Sequence, residues 1–532
     1  MQTKIKKIIE GILERTIVLE KPKDRNLGHF STPIAFSLAK ELRKSPMIIA
    51  EDLAKQFDNV PTFTKVESVK GFLNFTLSDH FLNEEVSQVL HDEENFAKGE
   101  HDNNKKQKIL LEYVSANPTG PLHIGHARGA ILGDTLCRVG RYLGYDITSE
   151  YYINDAGSQM DLLGLSIYLA GREHILKVDV EYPQSYYRGE YLLPIAQLCV
   201  DQLGIHCLED VTHLKEMALI GKDEVMKIII KDLSDLGVQF DQFVSEKSLY
   251  DKWESTKEVL EQSKQLYTKE GKLWLASTQA GDDADRVVVR ENGVPTYLAG
   301  DIIYHKDKFD RGYEKLINIW GADHHGYIPR VKAAVQFLGN DPKNLEVILS
   351  QMVALLKGGE PYKMSKRAGN VILMSDITEQ IGSDALRFVF LTKKTDTHLE
   401  FDLDILKNQD SSNPIFYINY AHARVNQLFK KANKSLHDLI DTPLTTQNED
   451  AQYLIYEALL LHDVLNEAFT KNDMQKITDY LHSLASLTHK FYNSYKIVGV
   501  EEEDQYLKIL SLVAMSIRVG LKLLGITAKK EM

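Results

Sequence analysis

The sequence predicts a multidomain protein of the α/β plus all-α class, and three observations support this. The chain has 532 residues, which is too long for a single hydrophobic core. A strand, a glycine-rich turn, a helix and a second strand follow one another over residues 109–153, as in a parallel sheet. Beyond about residue 405 the strand patterns stop and helical periodicity dominates. We therefore expect a small α+β domain at 1–100, a parallel-sheet domain at 101–404 and a helical bundle at 405–532.

The first domain is expected to combine helices with a strand. It begins with an amphipathic pattern, MQTKIKKIIEGILERTIVLEK, which lacks the unbroken apolar stretch and the cleavage site of an export signal. A helical pattern, IAFSLAKELRK, and a strand pattern, GFLNFTL at 71–77, come next. The polar stretch HDEENFAKGEHDNNKKQK that follows has the composition of a linker.

The second domain is expected to contain a parallel sheet that an insertion interrupts. The expected strands are ILLEYV (109–114), ITSEYYI (147–153), LINIW (316–320) and EVILSQMVAL (346–355). The helix between the first two strands should stop at Gly144. The insertion, from about 163 to 290, is largely helical in pattern and leads into a hairpin around Asn292-Gly293.

Composition limits the class of protein. No apolar run is long enough to span a bilayer. Three cysteines without a CxxC pair argue against a disulfide framework and a zinc knuckle, and they favour the cytoplasm. The net charge of −13 argues against a protein that coats nucleic acid nonspecifically. It leaves a specific nucleic-acid partner open, because binding depends on local basic surface.

A candidate anion site follows the first strand of the second domain, in SANPTGPLHIGHARG at 115–129, which we call the histidine corner. We expect Gly120 to cap the helix and Pro121 to occupy its first position. His123 and His126 would then share one helix face beside free backbone N–H groups. Gly125 between them would let a flat ring or a phosphate approach the backbone. A zinc pair is disfavoured, because the HExxH spacing of metalloproteases is absent.

A second cationic element lies about 240 residues later, in GGEPYKMSKRAGN at 358–370. Lys363, Lys366 and Arg367 occupy a loop bounded by glycines after an expected buried strand. Such a cluster is more often a solvated surface. The glycines and the strand end nevertheless favour a loop that closes on a polyphosphate.

Together these motifs carry a family resemblance. HIGH at 123–126 and KMSK at 363–366 resemble the paired signatures of class I aminoacyl-tRNA synthetases, on a Rossmann-like sheet. Further stretches are similar to arginyl-tRNA synthetases over essentially the whole chain: EYVSANPTGPLHIGHARG, YYINDAGSQ, GADHHGYIPR, DALRFVFL and NPIFYINYAHAR. The resemblance implies activation of arginine with ATP and its transfer to the 3′ end of tRNA(Arg). It also implies a monomer, Mg²⁺ brought by ATP, no metal bound by the protein itself, and adenylate formation that needs bound tRNA.

The resemblance also assigns residues to ATP. The residues implied to bind ATP are Gly120, Pro121, Leu122, His123, Gly125, His126, Lys363, Met364, Ser365 and Lys366. Of these, His123, His126, Lys363 and Lys366 would be catalytic, donating to phosphate oxygens as charge develops. Arg367 stands where the family signature has serine, and both a phosphate contact and a tRNA contact remain open for it.

The arginine-binding residues implied by the resemblance are Glu112, Asn117, Tyr297, Asp301 and Asp323. A guanidinium group is planar and permanently charged, so a selective pocket needs a carboxylate that accepts two parallel hydrogen bonds. Asp301 is expected to follow a strand, YLAGD, with Tyr297 four residues before it. The neighbouring His324 and His325 could contact ATP instead.

The expected bundle opens with NPIFYINYAHAR, in which Asn413 would cap a helix and Pro414 would begin it. Tyr417, Tyr420 and Arg424 would share one face. Aromatic rings beside an arginine suit unpaired bases, and a buried aromatic stripe is the alternative. The resemblance implies that these residues face the tRNA anticodon.

Three rival interpretations make different predictions. A smaller adenylyl transferase with an HxGH corner would lack the long helical block at the C-terminal end. Cysteinyl-tRNA synthetase would carry a zinc thiolate cluster, which three scattered cysteines do not provide. A noncatalytic tRNA-binding scaffold would have no need of both histidines and both lysines.

Replacing Lys366 with alanine is expected to lower the rate of amino-acid activation far more than it weakens arginine binding. The physical reason is that this lysine would act on the departing phosphates and not on arginine. Single-turnover adenylate formation and equilibrium arginine binding measure the two effects separately. Equal activation rates in wild type and variant would contradict the assignment.

Overall fold

A computed structural model describes residues 1–22, 24–99, 107–362 and 372–532. The chain forms two compact units, one made of residues 1–100 together with 408–532 and the other of residues 101–407. Within the described ranges, no helix has both the length and the apolar character needed to cross a membrane.

The N-terminal segment of the first unit packs helices on a small antiparallel sheet with the strand order β1-β3-β2. Its strands are β1 (Phe30–Thr32), β2 (Phe63–Val69) and β3 (Phe72–Leu77). Its helices are α1 (Gln2–Leu13), α2 (Ile34–Leu42), α3 (Pro46–Ala54) and α4 (Asp79–His91). The expected amphipathic start, second helix and strand are therefore all confirmed.

The second unit contains most of the strands. They are β4 (Lys108–Glu112), β5 (Asp146–Ile153), β6 (Gln242–Ser245), β7 (Leu266–Lys269), β8 (Lys272–Leu275), β9 (Arg286–Val289), β10 (Lys315–Gly321), β11 (Leu345–Ser350), β12 (Val353–Lys357), β13 (Glu360–Pro361) and β14 (Leu399–Asp402). The helices are α5 (Ile124–Tyr142), α6 (Ser158–His174), α7 (Leu192–Leu203), α8 (Leu214–Asp235), α9 (Glu246–Leu249), α10 (Trp253–Gln262), α11 (Tyr297–Asp310), α12 (Ile328–Phe337), α13 (Met374–Ile381) and α14 (Ser383–Leu391).

A five-stranded parallel sheet organises this unit, with the strand order β11-β10-β4-β5-β6. The chain runs outward from β4 to one side through β5 and β6, and from β10 to the other side through β11. The strand order therefore reverses between β4 and β10. In open parallel sheets ligands bind beyond the carboxyl ends of the strands at such a reversal, and β4 ends directly before the histidine corner.

The stretch 346–355 was expected to be one strand, and the structure corrects this to two. Residues up to Ser350 belong to β11, whereas β12 joins a separate three-stranded sheet with β13 and β14. The buried guanidinium of Arg128 explains the break, because it donates to the carbonyls of Gln351 at 3.1 Å and Lys394 at 2.7 Å. The carbonyl of Gln351 is thus engaged by a side chain at the point where β11 ends.

The stretch 163–290 is largely helical, as expected, but it also contains four strands, of which the sequence indicated only β9, the first arm of the expected hairpin. β6 pairs with β5 at the edge of the parallel sheet, and β7, β8 and β9 form an antiparallel sheet. Each of these strands has only four residues, too few for a periodic pattern to stand out.

The expected hairpin turn around Asn292-Gly293 forms, but its second arm is a single bridge between Val289 and Pro295. Two backbone bonds flank this bridge, from Arg290 N to Val294 O and from Thr296 N to Val288 O, both at 2.9 Å. Helix α11 begins two residues later, at Tyr297.

Helix α5 ends where the sequence predicted. Gly144 has a φ of +94° and donates its N–H to the carbonyl of Arg141 at 3.0 Å, while Tyr145 N donates to Gly140 O at 3.0 Å. This pair of bonds is a Schellman motif, which needs a left-handed residue and therefore favours glycine.

The C-terminal segment is helical throughout its described elements, as expected. The helices are α15 (Pro414–Ala432), α16 (Glu449–Leu459), α17 (Leu461–Thr470), α18 (Gln475–Ser494) and α19 (Glu503–Leu523). Bonds join it to the N-terminal segment within the same unit. Tyr456 donates to the carbonyl of His29 at 2.9 Å, and the buried Lys508 donates to Ser87 Oγ at 3.0 Å.

Replacing Gly133 with alanine is expected to destabilise the protein, because α5 lies against the end of β4 at this residue. A Cβ there would lie 2.2 Å from Cγ of the buried Tyr113, and overpacking of this kind costs about 1–3 kcal/mol. The matched control is Gly129→Ala on the same helix, where the new Cβ would lie 3.7 Å from Cγ2 of Ile319. The control should be neutral or stabilising, since alanine favours helix by about 1 kcal/mol over glycine. Thermal unfolding midpoints check this, and equal midpoints for the two variants would contradict the packing argument.

Candidate active site

The candidate site begins with a strained turn at the carboxyl end of β4. Val114 has a φ of +68° and Ser115 a φ of +40°, in the left-handed region that a β-branched residue rarely adopts. Ser115 Oγ donates to Glu112 Oε1 at 3.0 Å and accepts from Tyr152 N at 3.1 Å. Such strain persists only where surrounding contacts impose it. The turn is therefore held by its neighbours and keeps Glu112 in one orientation.

Two tyrosine hydroxyl groups hold the loop of the histidine corner. Tyr151 Oη donates to the carbonyl of Ala116 at 2.8 Å, and Tyr191 Oη donates to the carbonyl of Thr119 at 2.6 Å. Asn117, between these two anchors, is exposed, and its carbonyl accepts from Thr119 N at 2.8 Å. The loop thus presents Asn117 at the surface from a fixed backbone.

The helix of the histidine corner begins later than expected. His123 is its N-cap, so Gly120 and Pro121 precede the helix and do not cap or begin it. The cause is a bridge to a distant segment: Ile124 N donates to Ile372 O at 2.9 Å, and Met374 N donates to Leu122 O at 2.9 Å. This pairing keeps the chain extended up to His123, with Leu122 fully buried.

The two histidines cap the helix for each other. His123 Nδ1 accepts from Gly125 N at 3.1 Å, and His126 Nδ1 accepts from His123 N at 3.3 Å. The rings are stacked, with centroids 3.7 Å apart and an angle of 27° between their planes. The prediction that they share one face is confirmed, and the pair forms a capping box made of imidazoles.

This arrangement fixes the ring protons. Burial lowers the pKa of His123, and burial together with the neighbouring His123 lowers the pKa of His126 to about 3. Both rings are therefore neutral near pH 7, and because each Nδ1 accepts, each ring carries its proton on Nε2. Among the described residues neither Nε2 has a hydrogen-bond partner. The corner thus presents two Nε2–H donors.

The expected free backbone N–H groups at this helix start are not available. Ile124 N, Gly125 N and His126 N donate to Ile372 O, His123 Nδ1 and His123 O. The role expected of Gly125 is also corrected, because a Cβ there would lie 2.9 Å from the ring of His123. The flat group against Gly125 is the histidine's own ring, so anion binding at this corner depends on the imidazoles.

Tyr297 and Asp301 lie in the first turns of α11 and not at the end of a strand. The single bridge at Pro295 ends the preceding hairpin, and Thr296 is the extended residue before the helix. Positions i and i+4 share a helix face, so the two side chains are neighbours. Tyr297 is 54% exposed, which excludes the alternative of a core tyrosine.

Three acidic residues form what we call the carboxylate cluster: Glu112, Glu246 and Asp301. Burial of the Asp301 carboxyl group, with the charges of Glu112 and Glu246, raises the pKa of Asp301 to about 7. The opposing cations Lys308 and Arg330 only partly offset this effect. Desolvated carboxylates that repel one another are stabilised by an added cation.

Glu246 was not predicted from the sequence. It is 5% exposed, and its Oε1 accepts from Tyr250 Oη at 2.7 Å. Its Oε2 is buried and has no hydrogen-bond partner among the described residues. Burial, opposed by the bond from Tyr250, raises the pKa of Glu246. A buried oxygen without a partner indicates a place for an outside donor.

A weak signal for Glu246 exists in the sequence. Glu246 and Tyr250 are an acid and a tyrosine four residues apart directly after β6. Tyr297 and Asp301 repeat the same two residue types at the same spacing. The short β6 was missed, and without it nothing placed Glu246 at the edge of the sheet.

Asp323, His324 and His325 lie in an exposed 3-10 turn, Ala322–Tyr327, which follows β10. This strand is the neighbour of β4, so the turn belongs to the same edge of the sheet. His324 Nε2 lies 3.6 Å from Asp323 Oδ2. No hydrogen bond links the turn to the carboxylate cluster in the described part of the chain.

Part of the expected phosphate site belongs to a segment outside the described ranges. Lys363, Met364, Ser365, Lys366 and Arg367 lie outside the described residues. Across the described ranges, no group of three or more His, Cys, Asp or Glu side chains could hold a metal ion.

The aromatic helix at the start of the bundle forms as predicted. Asn413 caps α15, with its Oδ1 accepting from Ile415 N at 3.2 Å, and the helix begins at Pro414.

Tyr417, Tyr420 and Arg424 share one face of α15. The Arg424 guanidinium lies 4.2 Å from the ring centroid of Tyr420 and 4.6 Å from that of Tyr492, and the ring of Tyr417 lies 4.5 Å from that of His489. All three predicted residues are half-buried and not enclosed in the core.

Three family models cover the chain. Residues 1–77 match the arginyl tRNA synthetase N terminal domain, 85–430 match the catalytic domain of tRNA synthetases class I (R), and 418–532 match the DALR anticodon binding domain.

Similar proteins agree with these models. The arginine–tRNA ligases of Aliarcobacter butzleri and of a Nitratiruptor species are 65% and 56% identical to this chain, over the whole length of both chains in each case. A putative arginyl-tRNA synthetase from Campylobacter jejuni is 54% identical with a TM-score of 0.82, over 86% of this chain and all of the other. The Thermus thermophilus arginyl-tRNA synthetase, 19% identical, shares the fold over all of both chains with a TM-score of 0.80.

The affinity for arginine is expected to rise with pH. In the free protein the pKa of Asp301 is about 7, so below pH 7 the carboxyl is mostly protonated. A guanidinium binds the ionised form, so the dissociation constant should fall by about tenfold per pH unit up to pH 7 and then level off. Calorimetric titration of arginine between pH 5.5 and 8.5 measures this. Asp301→Asn should bind weakly with a reduced pH dependence, whereas a flat profile in the wild type would contradict the assignment.

Proposed function

This chain belongs to the arginyl-tRNA synthetase family of class I, and we infer that it ligates arginine to tRNA using ATP. The observation that carries the choice of arginine is the carboxylate cluster. It brings Glu112, Glu246 and Asp301 together at the sheet edge and raises the pKa of Asp301 to about 7. A neutral side chain entering this site would leave buried carboxylates unpaired, which is the strongest basis for rejecting it.

We propose that Asp301 and the partnerless Oε2 of Glu246 accept the guanidinium hydrogens, with Tyr297 packing beside them. Glu112 and Asn117 would receive the α-ammonium group. Both oxygens of Glu112 already accept from protein donors, Ser115 and Lys308. The remaining lone pairs suit one more donor each, as an ammonium offers, better than a bidentate guanidinium. Asp323, at the neighbouring strand end, completes the proposed set.

In the proposed first step an oxygen of the arginine carboxylate attacks the α-phosphorus of ATP. The bond from that phosphorus to the oxygen of the β-phosphate breaks, so arginyl-adenylate forms and pyrophosphate leaves. The Nε2–H groups of His123 and His126 would donate to the phosphate oxygens while negative charge develops on them. Gly120 and Pro121 would line the same ATP, while the buried Leu122 and Gly125, which lies against the His123 ring, would support the two histidines.

The departing phosphates need cations of their own. Lys363 and Lys366 would hold them, with Met364 and Ser365 in the same loop, and Mg²⁺ would arrive as part of the ATP substrate. The two neutral imidazoles donate hydrogen bonds but bring no positive charge. The lysines and Mg²⁺ would therefore neutralise the negative charge of the phosphates.

In the second step a terminal ribose hydroxyl of the tRNA attacks the acyl carbon. The bond from that carbon to the adenylate oxygen breaks, AMP leaves, and the hydroxyl proton is released to the leaving phosphate or to water. For tRNA(Arg) itself, Tyr417, Tyr420 and Arg424 would stack against unpaired anticodon bases. Because charged tRNA is used by ribosomes, we propose that the protein works in the cytoplasm. We also propose that it is a monomer.

A charging assay with each of the twenty amino acids tests the function. Only arginine should be transferred to tRNA, and ATP–pyrophosphate exchange should stay near background until tRNA is added. Asp301→Asn should raise the KM for arginine by about a hundredfold, since it removes one partner of a charged bond. The matched control is Asp310→Asn on the same helix, whose exposed carboxylate pairs with Lys306. Transfer of another amino acid at a comparable rate would refute the proposal.

A further inference from the structure

Lys308 is a buried charged residue for which the proposed reaction has no direct use. It lies on α11 and is fully buried. Its ammonium group donates to Glu112 Oε2 and to Asn318 Oδ1, the latter at 3.1 Å. The ammonium also lies 4.0 Å from the ring centroid of Tyr304. A buried ammonium is costly unless it is paired, so these partners account for how it is tolerated.

The two partners of Lys308 lie at the reversal of strand order. Glu112 ends β4, Asn318 is in β10, and the two residues are directly paired in the parallel register. Lys308 therefore bridges β4 and β10 at the edge where the carboxylate cluster lies. Ser115 Oγ binds the other oxygen of Glu112 at 3.0 Å. The carboxylate is held from both sides, by the strained turn and by α11.

A chain of hydrogen bonds continues from Lys308 to the backbone of Asp301. The carbonyl of Asp301 can only accept, so His305 Nδ1 donates to it, at 2.7 Å. His305 Nε2 then accepts from Asn318 Nδ2 at 2.9 Å, which turns Asn318 Oδ1 toward Lys308. Burial and the charge of Lys308 lower the pKa of His305 to about 3, so its ring is neutral. Every donor in this series of hydrogen bonds faces an acceptor.

The charges in the site divide in a specific way. Lys308 contacts Glu112 and does not hydrogen-bond to Asp301 or Glu246. One carboxylate of the cluster is thus paired with the Lys308 ammonium group, while the other two face the site without a bonded cation among the described residues. Arginine carries a positive group at each end, an ammonium and a guanidinium. The paired carboxylate suits the ammonium and the unpaired ones suit the guanidinium.

We propose that Lys308 is a positioning residue for arginine, acting through Glu112. Resting on the proposed function, the inference is that Lys308 orients Glu112 for the α-ammonium group and keeps it from competing for the guanidinium. A purely structural ion pair would change stability alone. A positioning residue changes the KM for arginine, and only while Glu112 is present to be positioned.

A double-mutant cycle separates these two roles. Lys308→Met keeps the length and burial of the side chain without its charge, and Glu112→Gln keeps the shape of its partner. Lys308→Met should raise the KM for arginine by about tenfold or more, and change the KM for ATP by less than about twofold. In the Glu112→Gln background the same change should add less than about twofold, because coupled residues are not additive. The control is Lys306→Met on the same helix, where Lys306 pairs with the exposed Asp310.

Two results would overturn the proposal. One is an unchanged KM for arginine in Lys308→Met, and the other is an effect that multiplies with that of Glu112→Gln. If Lys308→Met alone does not fold, Lys308→Gln, which keeps a hydrogen-bond donor without the charge, replaces it in the same cycle with the same expected and overturning results. Arginine charging by the wild type is measured beside them. Its failure would refute the function, whereas its success with either overturning result refutes only the role of Lys308.

Discussion

The end of β4 is the constraint on which the rest of the site depends. The strand lies where the strand order of the sheet reverses, and Glu112 is its last residue. Directly after it the backbone enters the left-handed region at Val114 and Ser115, where bonds to Glu112 and Tyr152 hold it. Because the histidine corner starts from this turn, the strained dipeptide and the pairing with Ile372 together determine where both histidines lie relative to Glu112.

The two halves of the site follow opposite electrostatic rules. At the histidine corner burial removes charge, since the pKa of His126 falls to about 3 and that of His123 is lowered. In the carboxylate cluster negative groups are kept close together, and the pKa of Asp301 rises to about 7. The first half offers hydrogen-bond donors without a cation of its own. The second half concentrates acceptors that are stabilised when a cation arrives.

Features that depend on neighbours in sequence could be predicted, and features that depend on distant residues could not. The Asn413 cap, the start at Pro414 and the stop at Gly144 are local, and all three were correct. The true start of α5 depends on pairing with Ile372, about 250 residues away. The residue types of the arginine site could be identified from the sequence, but Glu246 follows a strand too short to be recognised. Its burial and missing partner are properties of the folded protein alone.

The mutual capping of the two histidines determines which of their ring nitrogens is left for a ligand. Each ring commits its acceptor nitrogen to a backbone amide, so neither can turn over without breaking the first turn of α5. The pair can therefore donate hydrogen bonds to a ligand but cannot accept them. A fully ionised phosphate, which only accepts, fits this surface better than a group that carries its own hydrogen. Each ring therefore has two roles, because its Nδ1 caps the helix while its Nε2–H is the donor for a ligand. An alanine at either position would remove a helix cap together with a ligand donor, and the loss of activity would measure both.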